Sequence, residues 1–252
     1  MTGITIYDVL ISLALAAIAL VIGFFWKVPV RKNMSVGILR SFIQLVAVGY
    51  ALEYVFALDS VWLISGVIFI MILVGSQASY SLAKKVKGSF YISFASIFAG
   101  SMITLGMMLI LGIIDFKARF IIPLSGMIIS NSMNATSLTI NRISSDIVSN
   151  RLAIETALSL GKNRRDSSSQ YQKQAVVAGM TSILNFMKTV GIVALPGAMT
   201  GMILAGADPL EAVFWQLIVG YMLLSSVTIS SILAVELTTR KYFTPYHQLS
   251  LE

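Results

Sequence analysis

The chain has no cysteine, and its one histidine, His247, lies in the tail. Disulfides, iron–sulfur clusters and thiolate metal sites are therefore excluded, and no imidazole is available inside the apolar body. Charge is also scarce: Asp, Glu, Lys and Arg make up 12% of the 252 residues, against about 25% in soluble domains. Recognisable catalytic sets are missing, with no His-Asp-Ser combination, no H-E-x-x-H and no paired carboxylates in the apolar runs. Leu160-Gly161-Lys162-Asn163 has the look of the end of a P-loop. However, Thr156 stands where the first glycine belongs, and Asn163 replaces the required Ser or Thr. An enzyme is not expected. If ATP drives this chain, ATP and Mg belong to another polypeptide, and no cofactor is expected here.

What the chain does have is apolar length. Hydrophobic residues are 57% of it, and mean hydropathy is +0.86. Runs near 20 residues, the length of a membrane-spanning helix, recur at 4–26, 35–56, 61–83, 90–114, 120–140, 175–195 and 210–235. The expected fold is an all-α integral membrane protein of about seven spans, with 1–252 as a single transmembrane domain. Residues 1–8 lack a basic start, so no cleaved signal is expected. The net charge of +7 follows topology and not nucleic-acid binding. Lys27, Arg31, Lys32, Lys84, Lys85, Lys87, Arg240 and Lys241 fall in alternate loops, while Asp8, Asp59, Asp115, Asp208 and Glu211 gather in the others. By the positive-inside rule the N-terminus is outside and the C-terminus in the cytoplasm. The expected location is the cell membrane, multi-pass, and in a bacterium the inner membrane. No internal repeat of 20–50 residues is visible.

One polar interval, 141–173, separates the fifth and sixth runs. Arg142, Arg151, Lys162, Arg164, Arg165 and Lys173 stand there against Asp146, Glu155 and Asp166. Ile154, Ala157 and Leu158 recur at helical spacing, which predicts an amphipathic helix. Gly161 marks its stop, and Asn163 with Asp166 three residues on predicts the cap of the next helix. Two readings stand side by side: a surface-lying loop helix, or a coupling helix over 154–163 that a cytoplasmic protein grips. Further on, 175–205 is too long for one straight span, since about 30 residues reach about 45 Å across a core of about 30 Å. A break is predicted at the hinge Leu195-Pro196-Gly197, followed by a short outer or re-entrant piece. Asp208-Pro209-Leu210-Glu211 reads as a helix start.

Polar side chains inside the apolar runs are the candidate functional residues. Ser130, Asn131, Asn134, Ser137 and Asn141 share about a third of one helix circumference. They either bond neighbouring helices or line a water-filled path. Thr181, Asn185, Lys188 and Thr189 share a face of the sixth run, where a deep cation needs a partner or a wet cavity. Arg40 and Glu53 lie near span ends and can snorkel. No metal ligand set is identified: Met102, Met107, Met108, Met127, Met133, Met187, Met199 and Met202 offer thioethers that suit Cu(I), yet methionine also fills gaps between packed helices.

Several stretches together resemble the FetB family. These are Arg40-Ser-Phe-Ile-Gln44-Leu-Val-Ala-Val-Gly49-Tyr50, Ile122-Pro123-Leu-Ser-Gly126-Met127, and Asn131-Ser-Met-Asn134. They continue with Glu155 and Leu158-Ser159-Leu160-Gly161, Lys188-Thr-Val-Gly191, Leu195-Pro196-Gly197 and Ala205-Gly206-Ala207-Asp208-Pro209. Glu155-Thr-Ala157-x-x-x-Gly161 is also similar to the glutamate–alanine–glycine loop of ABC importer permeases, although Leu195-Pro196 lies far from it. The resemblance implies a homodimer bound to two ABC ATPase subunits, exporting iron or a related metal species. It implies coupling through Ile154, Glu155, Ala157, Leu158, Gly161, Lys162 and Asn163. Plant members are connected with aluminium tolerance and sugar-nucleotide transport, so other cargo remains open. A secondary transporter or channel without an ATPase is the alternative. A bare cation beside Lys188 is electrostatically awkward, which favours an anionic chelate.

Overall fold

The computed structural model describes residues 6–26, 31–83, 86, 88–244, 246 and 248–250. Lys27, Lys84, Lys85, Lys87 and His247, and the side chains of Arg31 and Lys32, lie outside the described residues. Among the described residues the regular elements are helices: α1 (Ile6–Phe25), α2 (Arg31–Leu58), α3 (Val61–Leu82), α4 (Ser89–Ile110), α5 (Ala118–Ser149), α6 (Arg151–Ser159), α7 (Arg164–Thr189), α8 (Gly197–Leu204) and α9 (Pro209–Lys241). Four are long and apolar enough to cross a membrane, namely Met34–Leu58 within α2, then α3, α4 and α9. The apolar part of α1, Ile11–Phe25, is shorter. The helices α5 and α7 have the length, but their hydroxyl, amide and charged residues keep them out of that group.

The chain divides into two compact units, Met1–Asp59 and Ser60–Glu252. In the first, α1 packs on α2. Leu39, Ile43, Leu45 and Tyr50 of α2 are all exposed, so this apolar surface requires lipid or protein around it. In the second, α5 is the central post, packed on α3, α4, α7 and α9, while α9 also meets α4, α7 and α8. Small residues make those approaches close. A Cβ on Gly179 of α7 would collide with Thr139 Oγ1 of α5 and come within 2.8 Å of Ser231 Oγ of α9. Gly100 of α4 sits likewise against Ser230. Helices in lipid associate through such small residues and through hydroxyl bonds. Ser230 donates to the Ser96 carbonyl at 3.0 Å, and the Ser79 and Ser93 hydroxyls pair at 3.0 Å.

Two buried clusters mark one end of the second unit. Ala83, Val86, Ile92, Ile140 and Ala234 form one buried cluster, and Ile143, Ile147, Ile154, Ala175, Val235 and Phe243 another. The end of α3, the start of α4, the end of α5, α6, the start of α7 and the end of α9 therefore share one end of the second unit. Arg142, Arg151, Lys162, Arg164, Arg165, Arg240 and Lys241 lie there. Chain direction carries Asp115, Asp208, Glu211 and α8 to the other end.

The structure shifts several expected boundaries. The helix α4 stops at Ile110, before 114, because the chain turns at Gly112 with φ +66°. The helix α5 runs nine residues past 140, because Ile143 and Ile147 continue its buried face. At about 1.5 Å per residue it is some 48 Å long, about 18 Å more than a hydrocarbon core. The helix α7 ends at Thr189, before the expected 195. Gly191, at φ +83°, makes the turn and donates to the Ala194 carbonyl at 3.0 Å. Pro196 is the N-cap of α8 and breaks no helix, so the break spans 190–196; the expected hinge residues Leu195 and Pro196 close it, and Gly197 opens α8. Asp208 caps α9 as its sequence suggests, accepting from the Leu210 N–H at 2.8 Å with Pro209 at the first position.

Candidate functional site

At the basic end, α6 lies on the chain's own helices. Ile154 is fully buried among Ile143, Ile147, Ala175, Val235 and Phe243, with Leu158 packed beside it. Burying such a side chain stabilises by about 1.5–3 kcal/mol, enough to fix a nine-residue helix that is too short to stand alone. Ile154 thus seats α6 and is closed to any partner, in contrast to the expectation that it contributes to a docking face. The large apolar residues left facing outward are Leu152, 77% exposed, and Leu160, 79% exposed. Glu155 accepts from Arg151 Nε at 2.7 Å on the helix surface, an exposed pair of small energetic weight.

The turn after α6 follows the local signals. Gly161 adopts φ +87°, a region where a side chain costs about 1–2 kcal/mol. Its N–H bonds the Leu158 carbonyl at 2.9 Å, and the Lys162 N–H bonds that of Ala157 at 3.1 Å. These bonds close the helix. Asn163 then caps α7: its Oδ1 accepts from the Asp166 N–H at 2.9 Å, and its Nδ2 donates to the Asp166 carboxylate at 2.8 Å. Glu236 of α9 clamps the arrangement from below, 2.9 Å from Arg240 and 3.6 Å from Arg164. The result is a short amphipathic helix, a glycine turn and an exposed Lys162, held at the head of α7.

The polar stripe of α5 is only partly open. Asn134 and Ser130 are exposed, and Asn131 is half-buried with its Nδ2 bonded back to the Met127 carbonyl at 2.8 Å. Ser137 is buried and donates to the Asn134 carbonyl at 2.9 Å. Asn141 reaches the Leu82 carbonyl at 3.1 Å, satisfying the end of α3. Ser137 and Asn141 thus each bond a backbone carbonyl, while Ser130 and Asn134 are exposed on the same stripe. On α7, Ala175, Gly179 and Ile183 face the bundle, which leaves Thr181, Asn185 and Lys188 exposed on the opposite side. Lys188 occupies the last turn of α7, where the helix dipole favours a cation.

Two cavities of about 400 Å³ flank α9 at the opposite end. Met199 and Gln216 line both. Gln216, Phe243 and Leu249 carry no local signal in the sequence: Gln216 is a single polar residue with no periodic partner, and Phe243 and Leu249 gain meaning only when the tail folds back onto the Ile154 cluster. Among the described residues, no group of three His, Cys, Asp or Glu side chains is placed to hold a metal ion.

A Bacillus subtilis relative, the UPF0014 membrane protein YjkA, is 36% identical over 95% of this chain and 97% of its own length. The probable iron export permease protein FetB of Escherichia coli is 33% identical over 98% of this chain and 95% of its own. Protein ALUMINUM SENSITIVE 3 of Arabidopsis thaliana is 34% identical over 94% and 87%. No solved structure matches. The family model described as "Uncharacterised protein family (UPF0014)" covers residues 6–243, and with these relatives at near full length this chain is a multi-pass membrane protein that belongs to the UPF0014 family.

Proposed function

We propose that this chain is the membrane-spanning permease subunit of an ABC exporter, powered by a separate cytoplasmic ATPase that grips α6 and the turn behind it. One observation carries the reading. A nine-residue helix is locked to the ends of three long helices by Ile154, yet it presents Leu152, Leu160 and Lys162 outward. A push on α6 reaches α5, α7 and α9 together, because their side chains share one cluster. Basic residues crowd this end, where eight of them stand against Asp146, Glu155, Asp166 and Glu236, and the positive-inside rule favours a cytoplasmic α6. Seven spans then follow, with α5 and α7 crossing among other helices and the N-terminus outside.

Exposed Thr181, Asn185, Lys188 and Asn134 do not belong against lipid. A second copy of the chain covers them, and the path runs between copies. Iron or a related metal species is the cargo, by analogy with the export permease among its relatives. A cation of its own at Lys188 favours a chelated form with net negative charge. The test is reconstitution with the ABC ATPase. Gly161→Val and Leu160→Glu should leave membrane abundance normal and abolish ATPase association. Full association in both variants removes the coupling role and leaves a transporter or channel without an ATPase.

A further inference from the structure

The seat of α6 includes a wall that is not a long helix. Around Ile154 stand Ile143 and Ile147 of α5, Ala175 of α7, Val235 of α9 and Phe243, whose ring follows the end of α9. Phe243 is 7% exposed. Beyond it the chain turns back: Phe243 and Leu249 pair as an antiparallel bridge, and Leu249 packs on the same cluster. The Thr244 N–H donates to the Gln248 carbonyl at 2.8 Å, and the Ser250 N–H to the Tyr242 carbonyl at 2.8 Å. The Gln248 N–H reaches Thr244 Oγ1 at 3.2 Å. The arms 242–244 and 248–250 thus form a short strap, and both arms meet the cluster that holds Ile154.

We propose that this strap is a releasable latch on α6, with Phe243 and Leu249 as positioning residues that set the helix in the orientation a partner ATPase engages. This role rests on the coupling function proposed above. Ile154 is the buried residue of α6, so the walls around it decide how the helix lies. Helices α5, α7 and α9 pack on one another, and none of them can leave the seat without unpacking the bundle. The strap is held differently. An isolated two-stranded hairpin is at best marginally stable in water, so its hold depends on Phe243 and Leu249 staying against the cluster. Local opening draws on such weakly held segments and spares the rest of a fold. Withdrawal of the strap takes the Phe243 ring from beside Ile154 and leaves the long helices packed. A void or water then replaces the lost contacts, and a nine-residue helix is too short to hold its place alone. The closed strap presents α6 for docking, and the open strap withdraws it.

Exchange and binding are read on the same full-length protein in lipid nanodiscs. Hydrogen–deuterium exchange over 151–160 follows α6, with 128–140 of α5 as the internal reference. Phe243→Ala and Leu249→Glu should speed α6 exchange about tenfold and leave α5 exchange unchanged. Both should weaken association with the partner ATPase about tenfold, since the docking-competent fraction falls by that factor. Leu249 is half-buried, so its replacement spares the core. Phe243→Leu refills much of the space and should restore both readings. Leu160→Glu should abolish association with α6 exchange as in wild type, so that variant reads the docking contact by itself. Wild-type α6 exchange in Phe243→Ala and Leu249→Glu overturns the latch, and so does faster exchange with undiminished association. Full association in Leu160→Glu removes the coupling function and the latch with it.

Discussion

Single atoms decide how closely the helices of the second unit approach. Gly179 meets Thr139 Oγ1, Ser231 Oγ and the Ala135 carbonyl, whereas a Cβ on Gly66 of α3 would meet nothing within 4 Å. Gly179→Ala forces α7 off both neighbours, a cost of about 1–3 kcal/mol of the overpacking kind. Gly66→Ala gains up to about 1 kcal/mol of helix propensity. Thermal unfolding in detergent should show Gly179→Ala lowered by several degrees and Gly66→Ala unchanged or raised; equal stability of the two would contradict this packing. Lys188 is the other residue-scale test. Lys188→Met keeps length without charge, so transport and cargo-stimulated ATP hydrolysis should fall while abundance holds. Wild-type rates in that variant would reduce Lys188 to a helix-end cation.

Among elements, α6 has two faces with opposite consequences. Ile154→Ala empties a fully buried site and should destabilise by about 2–5 kcal/mol. Leu160→Ala removes an exposed side chain, so stability should hold while affinity for the ATPase drops. A melting curve and a pull-down on each variant separate the faces; identical patterns in both would mean the faces are misassigned. Much of this element was legible beforehand because its signals are local. Gly161 stops α6, Asn163 caps α7 and Asp208 caps α9 within four residues of the groups they satisfy. The seat of Ile154 was not legible, because it needs Phe243 from the tail and Val235 from α9, some 80 residues away. The end of α5 was displaced for a related reason, whereas α7 stops early at the Gly191 turn. Apolar run length measures what suits lipid, and a helix continues beyond it wherever its buried stripe finds partners.

For the whole molecule, absence becomes a tool. With no native cysteine, Asp115→Cys and Lys162→Cys each report one end with an impermeant thiol reagent. Asp115→Cys should label in intact cells and Lys162→Cys only after permeabilisation; the reverse would invert the topology. The helical class and the multi-pass character followed from composition. The two-unit division and the α8 cavity did not, since both depend on which helices meet, and hydropathy is silent about that.

The central claim is that an ATPase grips α6, and site-directed cross-linking reads it directly. Leu160→Cys protein is expressed with the partner ATPase and treated with a short thiol-reactive photo-cross-linker. The account predicts an adduct with the mass of one permease and one ATPase from Leu160→Cys, and none from Asp115→Cys at the opposite end. An adduct from Asp115→Cys with none from Leu160→Cys would contradict it.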